Sequence, residues 1–494
     1  MYRRPASGVA AGDAIPFFRE GEFHLFHLAS PPRTEAFPER VRTNWRHVRS
    51  RDLVDWEELP DALCPGEGND PDADGAWTGS VIEFEGAYHI YYTGHRLVSA
   101  TPQSICHAAS GDLVRFTKDP ANPLIVPDPS LYESVDWRDP YVFWNDAEQQ
   151  FWMLIAARLN RGPRWRRGCI ALATSPDLSA WRLEAKPLYA PATTFCPECP
   201  EIFRLGDRWY LVYSRFSENA GTIYRIADNP RGPWRVAGRE ALDGRRWYAA
   251  KSLPNTDASR IFFGWVHDRA RESDSGNWLW GGDFAAARQV TADADGELRV
   301  RLPSAITETF SKELPIGKTL SPSKSGGLTF EGAARRHTLS KIGSFGYVFI
   351  PVAAESYLFS CRFRLEIAPA SFGILFRTDS DLSGLALAFD RARTSVALVR
   401  LPAPLDTFWA DLVGRGHEIR EVDGPRVVEH PFNWQDASDG VEVQILVSGT
   451  VFEAYVNGQV ALSYRVYGKG ENELALFAED GVVACEEVSV RASA

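Results

Sequence analysis

The stretch Trp137-Arg138-Asp139-Pro140 leads directly into an apolar run, Tyr141-Val142-Phe143-Trp144, and a turn at Asn145-Asp146 separates this run from a second one over residues 151–155. Two short aromatic runs joined by a polar turn predict a β-hairpin. A charged pair at the mouth of an apolar hairpin costs desolvation free energy unless partners compensate it. An ion pair on a loop would compensate it, and so would a shared polar site.

The same combination of turn and aromatic strand recurs along the first 300 residues. Further copies begin at Gly21-Glu22-Phe23, Gly86-Ala87-Tyr88, Asp207-Arg208-Trp209 and Ser259-Arg260-Ile261. Each copy alternates apolar and polar positions, the pattern of a half-buried strand. Together with the hairpin at residue 150, these segments make five copies of one unit.

A second repeated element is interleaved with the hairpins. Ser50-Arg51-Asp52-Leu53 is echoed by Ser110-Gly111-Asp112-Leu113 and Ser175-Pro176-Asp177-Leu178. The spacing is about 50–65 residues, and such a repeat with several strands per unit is typical of a propeller with one four-stranded sheet per blade. Five copies therefore predict a five-bladed β-propeller.

The pattern changes near residue 300. A segment rich in Ser, Gly, Pro and Lys over 311–327 predicts a linker. Short regular strands follow, such as Tyr357–Ser360 and Val441–Val447, and Asn457-Gly458 predicts a tight hairpin turn. We predict an all-β chain with a five-bladed propeller over 1–310, the linker, and an antiparallel β-sandwich over 328–494.

The composition narrows the class of partner. The 494 residues have a net charge of −11 and contain no long basic run, which argues against nucleic acid or an anionic membrane surface. No stretch approaches the ~20 apolar residues needed to span a bilayer. The N-terminus lacks the apolar core of a signal peptide, and the seven cysteines are an odd number. These features predict a cytoplasmic protein; they leave its oligomeric state open.

Three acidic residues precede predicted hairpins in blades 1, 3 and 4: Asp13, Asp139 and Glu198. A propeller gathers the first strands of its blades around one axis, so these side chains are expected to meet. Crowded carboxyls raise at least one pKa, so one protonated and one ionised carboxyl are available. Cleavage of a glycosidic bond uses such a pair, and a small carbohydrate is the predicted partner.

Cys196-Pro197-Glu198-Cys199 has the spacing of a metal or redox motif. The chain has no second pair of this kind and no nearby pair of histidines, and a redox role fits an all-β context poorly. We interpret the cysteines as small buried neighbours of Glu198 and predict neither a metal ion nor another cofactor.

Several of these stretches resemble glycoside hydrolase family 32, the β-fructofuranosidases. Trp137–Pro140 resembles the family's Arg-Asp-Pro motif, and Glu198-Cys199-Pro200 resembles its Glu-Cys motif. Asn44–His47 is similar to its Trp-Gly-His segment, and Trp77-Thr78-Gly79-Ser80 is similar to Phe-Ser-Gly-Ser. The resemblance extends over nearly the whole chain.

The resemblance implies a retaining double displacement. Asp13 would be the nucleophile, Glu198 the acid/base, and Asp139 with Arg138 would hold ring hydroxyls and stabilise the transition state. The residues expected to bind the sugar are Trp45, Trp77, Thr78, Arg138, Arg246, Tyr248 and Trp280.

Three departures from the family pattern bear on specificity. Of the first motif, Trp-Met-Asn-Asp-Pro-Asn-Gly, only Asp13 is clearly present. Leu28 stands where the family usually has Gln, and Arg246 stands where it usually has Asp. The leading hypothesis is an exo-acting β-fructofuranosidase for sucrose, short fructans or a modified fructoside whose anionic leaving group Arg246 would pair with. The alternatives are an arabinofuranosidase using the same carboxylates and a catalytically silent sugar-binding protein.

Overall fold

The structure is a computed structural model that describes residues 1–31, 38–256, 258–316, 328–329, 337–376, 378, 382–402, 426–434, 438–467 and 473–493. The chain divides into two compact units, Met1–Ile306 and Thr307–Ala494. Most of the predicted linker, residues 317–327, lies outside the described ranges, so the predicted domain limits stay a prediction.

The first unit is a five-bladed propeller, as the repeats predicted. Each of the first four blades is an antiparallel sheet whose strands pair in chain order. Their bounds are β1 Ala11–Arg19, β2 Glu22–Ala29, β3 Asn44–Ser50 and β4 Glu57–Leu63; β5 Gly75–Phe84, β6 Ala87–His95, β7 Gln103–Ser110 and β8 Thr117–Lys118; β9 Tyr132–Asn145, β10 Gln150–Leu159, β11 Gly168–Ser175 and β12 Arg182–Leu183; β13 Glu198–Leu205, β14 Arg208–Arg215, β15 Gly221–Ala227 and β16 Arg235–Ala241.

The fifth blade closes the ring in a way that the repeats do not predict. Its strands are β17 Trp247–Thr256, β18 Ser259–Arg269, β19 Trp278–Phe284, β20 Arg288–Ala292 and β21 Leu298–Arg301. The first half of β18 pairs with β20 and the second half with β19. Gly282 of β19 also pairs with Ala11 of β1, so blades 5 and 1 form one sheet. The innermost strands β1, β5, β9, β13 and β17 each contact the next one around the axis.

The innermost strand of every blade has a β-bulge, which lies near the start of the strand in four blades and at the middle of β9. The irregular pairing falls between residues 11 and 14, 77 and 79, 138 and 141, 198 and 201, and 248 and 251. A bulge opposes extra residues to one partner residue and changes the direction of the side chains there. Asp139, Cys199 and Ala249 have positive φ angles at these positions. The bulges therefore turn the segments that contain Asp13, Asp139 and Glu198 at one end of the propeller.

The second repeated element forms the same turn in three blades. In the first copy, the Asp52 Oδ1 atom accepts hydrogen bonds from the backbone amides of Val54 and Asp55, both at 2.8 Å. Leu53 is buried with a φ of 67°. Asp112 and Leu113 repeat this arrangement. The repeat is thus a side-chain-capped turn between the third and fourth strands of a blade.

Helices are few and short in the described ranges. Single turns of 3₁₀ helix lie at Glu39–Val41, Arg164–Arg166 and Ala270–Glu272, and α1 spans Ser304–Glu308. Of the helices among the described residues, none has the length and apolar character needed to cross a bilayer.

The second unit is antiparallel β structure, as predicted for a sandwich. Its strands are β22 Lys312–Glu313, β23 Leu328–Thr329, β24 His337–Pro351, β25 Ser356–Ile367, β26 Ser371–Phe376, β27 Gly384–Asp390, β28 Ser395–Leu401, β29 Arg426–Pro431, β30 Val441–Ser448, β31 Val451–Val456, β32 Val460–Arg465 and β33 Glu473–Ala492. The long strand β33 pairs with β24, β25 and β26 in turn. Side chains such as Phe363, Phe372 and Phe452 are fully buried in its core. Asn457 and Gly458 have positive φ angles, as their predicted turn requires.

Candidate active site

The bulged end of the propeller contains a cavity of about 290 Å³. The three predicted catalytic carboxyls all line it, although they come from blades 1, 3 and 4. The wall is formed by Asp13, Leu28, Val41, Thr43, Trp77, Gln103, Asp136, Arg138, Asp139, Glu198, Phe216 and Trp280. The closed ring of inner strands therefore brings together acids that are up to 185 residues apart in sequence, from position 13 to position 198.

Asp13 lies in the bulge of β1 and is held from two sides. The Trp265 indole Nε1–H donates to Asp13 Oδ1 at 3.1 Å, and the Cys199 thiol donates to Oδ2 at 3.6 Å. Burial raises the pKa of Asp13 to about 7, and the nearby carboxylates of Asp139 and Glu198 act in the same direction. The indole hydrogen bond opposes this shift because it stabilises the ionised form. Asp13 therefore changes charge near neutral pH.

Glu198 at the start of β13 accepts a hydrogen bond on each carboxyl oxygen. The Arg138 guanidinium donates to Oε1 at 2.9 Å, and the Tyr248 hydroxyl donates to Oε2 at 2.5 Å. Burial raises the pKa of Glu198, and the charge of Arg138 opposes that shift. Burial and the adjacent Glu198 carboxylate also raise the pKa of Tyr248, so its hydroxyl keeps its proton. A carboxyl with a raised pKa is suited to donate a proton.

Asp139 is held by hydrogen bonds to both neighbouring blades, blade 2 and blade 4. Its amide donates to Thr93 Oγ1 at 2.7 Å, and its Oδ2 accepts from the Cys199 amide at 2.8 Å. Its φ of 58° is costly for a residue with a Cβ, and such strain persists only where surrounding contacts impose it. Burial raises the pKa of the Cys199 thiol, which stays neutral between Asp13 and Asp139.

Arg138 joins the acid/base candidate to the wall of the cavity. Besides Glu198, it donates to Asp136 Oδ1 at 2.5 Å and to Gln103 Oε1 at 3.1 Å. The Gln103 amide oxygen also accepts from the Trp137 backbone amide at 3.1 Å. The planar guanidinium is thus held in one orientation, which is the use for which Arg is better suited than Lys.

The other predicted sugar-binding residues fall into three positions. Trp77 and Trp280 line the cavity with Arg138, and Tyr248 contacts Glu198. Trp45 and Thr78 are fully buried, and the Trp45 indole donates to the Trp77 carbonyl at 2.9 Å, behind the cavity wall. Arg246 forms an ion pair with Asp268 at 3.2 Å and is not part of the wall.

The sequence analysis missed several residues that complete the site. Gln103 and Asp136 carry no motif of their own, and Trp265 lies within a hairpin that repeats in every blade. Position 12 has a structural reason to be glycine. A Cβ there would lie 2.5 Å from the Trp280 ring, so only glycine lets that indole approach the backbone beside Asp13. Gly12, next to Asp13, was the only feature of the sequence that could have indicated a close contact at this position. In the described ranges, no cluster of three or more His, Cys, Asp or Glu side chains is arranged to hold a metal ion.

Comparison with known proteins gives one consistent result. The sequence pattern of the glycosyl hydrolases family 32 N-terminal domain matches residues 8–301. The chain is 25% identical over 504 aligned residues to the sucrose-6-phosphate hydrolase of Escherichia coli, covering 98% of this chain and 92% of that protein. It is 27% identical to the levanase of Bacillus subtilis, covering 95% of this chain and 66% of the levanase.

Solved structures share the fold over the full length. Fructan 1-exohydrolase IIa from Cichorium intybus superposes with a TM-score of 0.75 at 19% identity, covering 100% of this chain and 96% of its own. Exo-inulinase from Aspergillus awamori superposes with a TM-score of 0.73 at 20% identity, covering 100% and 98%. The fold and the family match together show that this protein is a fructofuranosidase-like glycoside hydrolase. The chain belongs to glycosyl hydrolase family 32.

Proposed function

We propose that the chain is an exo-acting, retaining β-fructofuranosidase, with Asp13 as the nucleophile and Glu198 as the acid/base. The observation that carries this proposal is that both carboxyls line one cavity yet are held differently. Asp13 accepts from an indole and a thiol, whereas Glu198 accepts from a guanidinium and a phenol. Two carboxyls in different environments support two different roles.

In the first step, ionised Asp13 attacks the anomeric carbon of the fructosyl unit and forms a covalent glycosyl-enzyme. Glu198 gives its proton to the oxygen of the leaving group. In the second step, Glu198 takes a proton from water, whose oxygen attacks the same carbon and releases Asp13. Asp139 and Arg138 hold ring hydroxyls, and their contacts contribute to rate where they strengthen in the transition state.

The shape of the cavity supports removal of a single terminal sugar. A volume of about 290 Å³ is at the small end of ligand pockets. Trp77 and Trp280 offer flat apolar faces, and Arg138, Asp139 and Gln103 offer polar groups. The relatives are named sucrose-6-phosphate hydrolase, beta-fructofuranosidase, fructan 6-exohydrolase and levanase, so the leaving group is the open part of the specificity.

The test is a substrate panel with two isosteric variants. Purified protein is incubated with sucrose, sucrose-6-phosphate, a short fructan, and nitrophenyl arabinofuranoside and fructofuranoside. We expect fructose release, with a fall of at least about 10³-fold in Asp13→Asn and in Glu198→Gln. Methanol added as acceptor should give methyl β-fructofuranoside, since retention preserves the anomeric configuration.

Two outcomes would replace the proposal. Turnover of the arabinofuranoside alone would assign the other furanosidase hypothesis. Tight sugar binding without turnover would assign the silent sugar-binding hypothesis. Undiminished activity in either carboxyl variant would reject the assigned roles.

A further inference from the structure

A second cavity, of about 480 Å³, lies between the innermost strands, further along them than the catalytic cavity. All five of these strands line it, through residues at the end of their bulges or beyond, such as Ile15 of β1 and Lys251 of β17. The residues of the same strands that line the catalytic cavity lie before or within the bulges. Among the described residues, the two linings have no member in common. We name this second space the axial cavity, and its size is that of a small-molecule pocket.

Three buried ionisable side chains line the axial cavity. Glu201 is fully buried, and Lys251 and Arg260 are 2% and 7% exposed. The neighbours of Glu201 balance its charge: it accepts from the Ser252 amide at 2.7 Å, from the Ser252 hydroxyl and from Arg260 at 3.3 Å. Because Arg260 pairs with Glu201, the ammonium of Lys251 remains as excess positive charge in the cavity wall.

Lys251 has hydrogen-bond donors to spare. Its ammonium carries three N–H groups, and its one acceptor among the described residues is the Gly79 carbonyl, at 2.8 Å. The Tyr141 ring centroid lies 5.8 Å from the ammonium. No carboxylate of the described ranges lies within ion-pair distance of it. A buried ammonium with one carbonyl acceptor carries a desolvation cost, which an anion in the cavity would reduce.

Ser80 offers a second donor beside Lys251. It follows Gly79 in β5, lines the same cavity and is 5% exposed. Its hydroxyl oxygen accepts from the Val142 amide at 2.9 Å, and the hydroxyl proton has no acceptor in the described part of the chain. Since Lys251 contacts the residue next to Ser80, the ammonium and the hydroxyl are neighbours on one wall. A carboxylate has two oxygens that could accept one hydrogen bond from each.

The rest of the lining is mainly apolar and becomes more exposed toward the mouth. Along β1, exposure rises from 1% at Ile15 to 43% at Phe18. Along β17, Leu253 is buried and Pro254 is exposed. All four residues line the axial cavity. The cavity therefore combines a buried cation with an apolar mouth, which suits a molecule that has an anionic head and a small apolar body.

We propose that the axial cavity is a binding site for a small organic carboxylate. The carboxylate accepts hydrogen bonds from the Lys251 ammonium and the Ser80 hydroxyl, and the apolar body packs between Phe18 and Leu253. The site is separate from the proposed catalytic carboxyls, and the inference does not rest on the proposed function.

The first test compares two probes of the same shape on the unmodified protein. Benzoate has a carboxylate and an apolar ring, and benzamide has the same ring without the charge. Isothermal titration calorimetry in chloride-free buffer measures both. We expect benzoate to bind at least about tenfold more tightly than benzamide, because a hydrogen bond to a buried charge is stronger than one between neutral groups. Chloride should bind more weakly than benzoate, since it has no apolar body to bury.

Variants then locate the site. Lys251→Gln keeps a donor for the Gly79 carbonyl but removes the charge, and it should weaken benzoate binding by at least about tenfold. Lys251→Arg keeps the charge and is the matched control. Phe18→Ala, a change at the exposed mouth, should weaken benzoate binding and leave chloride binding unchanged. Arg138→Met removes a cation of the catalytic cavity and should leave benzoate binding unchanged.

Several outcomes would overturn the inference. They are equal affinity for benzoate and benzamide, chloride binding as tight as that of benzoate, and benzoate binding that Arg138→Met abolishes but Lys251→Gln does not. Thermal unfolding checks that each variant is folded. If Lys251→Gln does not fold, the two probes on the unmodified protein, with Phe18→Ala and Arg138→Met, still decide between the axial and the catalytic cavity.

Discussion

The Arg138 guanidinium donates a hydrogen bond to Glu198 Oε1 at 2.9 Å, and its positive charge opposes the rise in the pKa of Glu198. Arg138 therefore favours the ionised form of Glu198, which gives up a proton in the proposed mechanism. Without it, Glu198 would hold its proton to higher pH.

We expect Arg138→Met to move the basic limb of the kcat profile to higher pH, because Glu198 must be protonated to act as the acid and its pKa rises when the cation is removed. The turnover itself should fall by about 10²-fold or more through the loss of contacts to the sugar. Arg138→Lys is the matched control: it keeps the charge and should keep the limb. A basic limb that does not move in Arg138→Met would show that this contact does not tune Glu198.

Trp265 is expected to affect the other limb of the pH profile, the acidic one. Its indole donates to Asp13 Oδ1 and lowers the pKa of Asp13. In Trp265→Phe that donor is lost, so the pKa of Asp13 should rise above about 7 and the acidic limb of kcat/KM should move to higher pH. Circular dichroism and thermal unfolding check that the blade is intact. A limb that stays in place or moves to lower pH would contradict this reading.

Phe216 is expected to contact the leaving group. Its ring is 49% exposed and lines the cavity, in the same blade as Glu198. Its ring packs against the Phe195 ring, with centroids 5.6 Å apart. The Arg158 guanidinium carbon lies 3.6 Å from the centroid of the Phe195 ring. Phe216→Ala should raise KM for sucrose by about tenfold, the effect of losing roughly 1–1.5 kcal/mol of aromatic contact.

The control for Phe216 is a substrate without a sugar as leaving group. Hydrolysis of β-fructofuranosyl fluoride should be nearly unchanged in Phe216→Ala, since fluoride makes no contact with the ring. Equal losses on sucrose and on the fluoride would place Phe216 on the fructosyl side instead.

A buried ion pair between blade 5 and the connection that leads into it from blade 4 predicts an effect on stability. Arg288 and Asp243 are joined at 2.6 Å with both side chains fully buried, and Arg288 also lies over the Trp247 ring at 4.0 Å. Asp243→Ala should lower the free energy of unfolding by about 3–5 kcal/mol, because the guanidinium then loses its counter-charge inside the fold. The double variant Asp243→Leu with Arg288→Met should recover much of that loss. Urea unfolding measures both, and a double variant no better than the single one would reject the explanation.

The strands of the propeller could be predicted because each hairpin is encoded locally. The alternation in Trp209–Tyr213, for example, repeats in every blade and needs no distant contact to be recognised. The closure of the ring could not be predicted in the same way. The pairing of Gly282 with Ala11 joins two strands at opposite ends of the unit, and neither strand carries a sign of its partner.

The candidate site divides in the same manner. Asp139 and Glu198 stand in recognisable motifs, whereas Trp265 and Gln103 are identified only by the atoms they contact. Arg246 shows the reverse case: its family position drew attention to it, but in the fold it pairs with Asp268. A residue type at a motif position indicates chemistry, and its contacts decide which chemistry it serves.

By itself the sequence determined the all-β class and the five repeated units, and it predicted three candidate acids, because periodicity and turn residues act over a few neighbouring positions. The tertiary structure alone decided that these acids share one cavity, and which donors each accepts. Electrostatic interactions depend on distance in space, and only a closed ring of blades converts large separations along the chain into short ones.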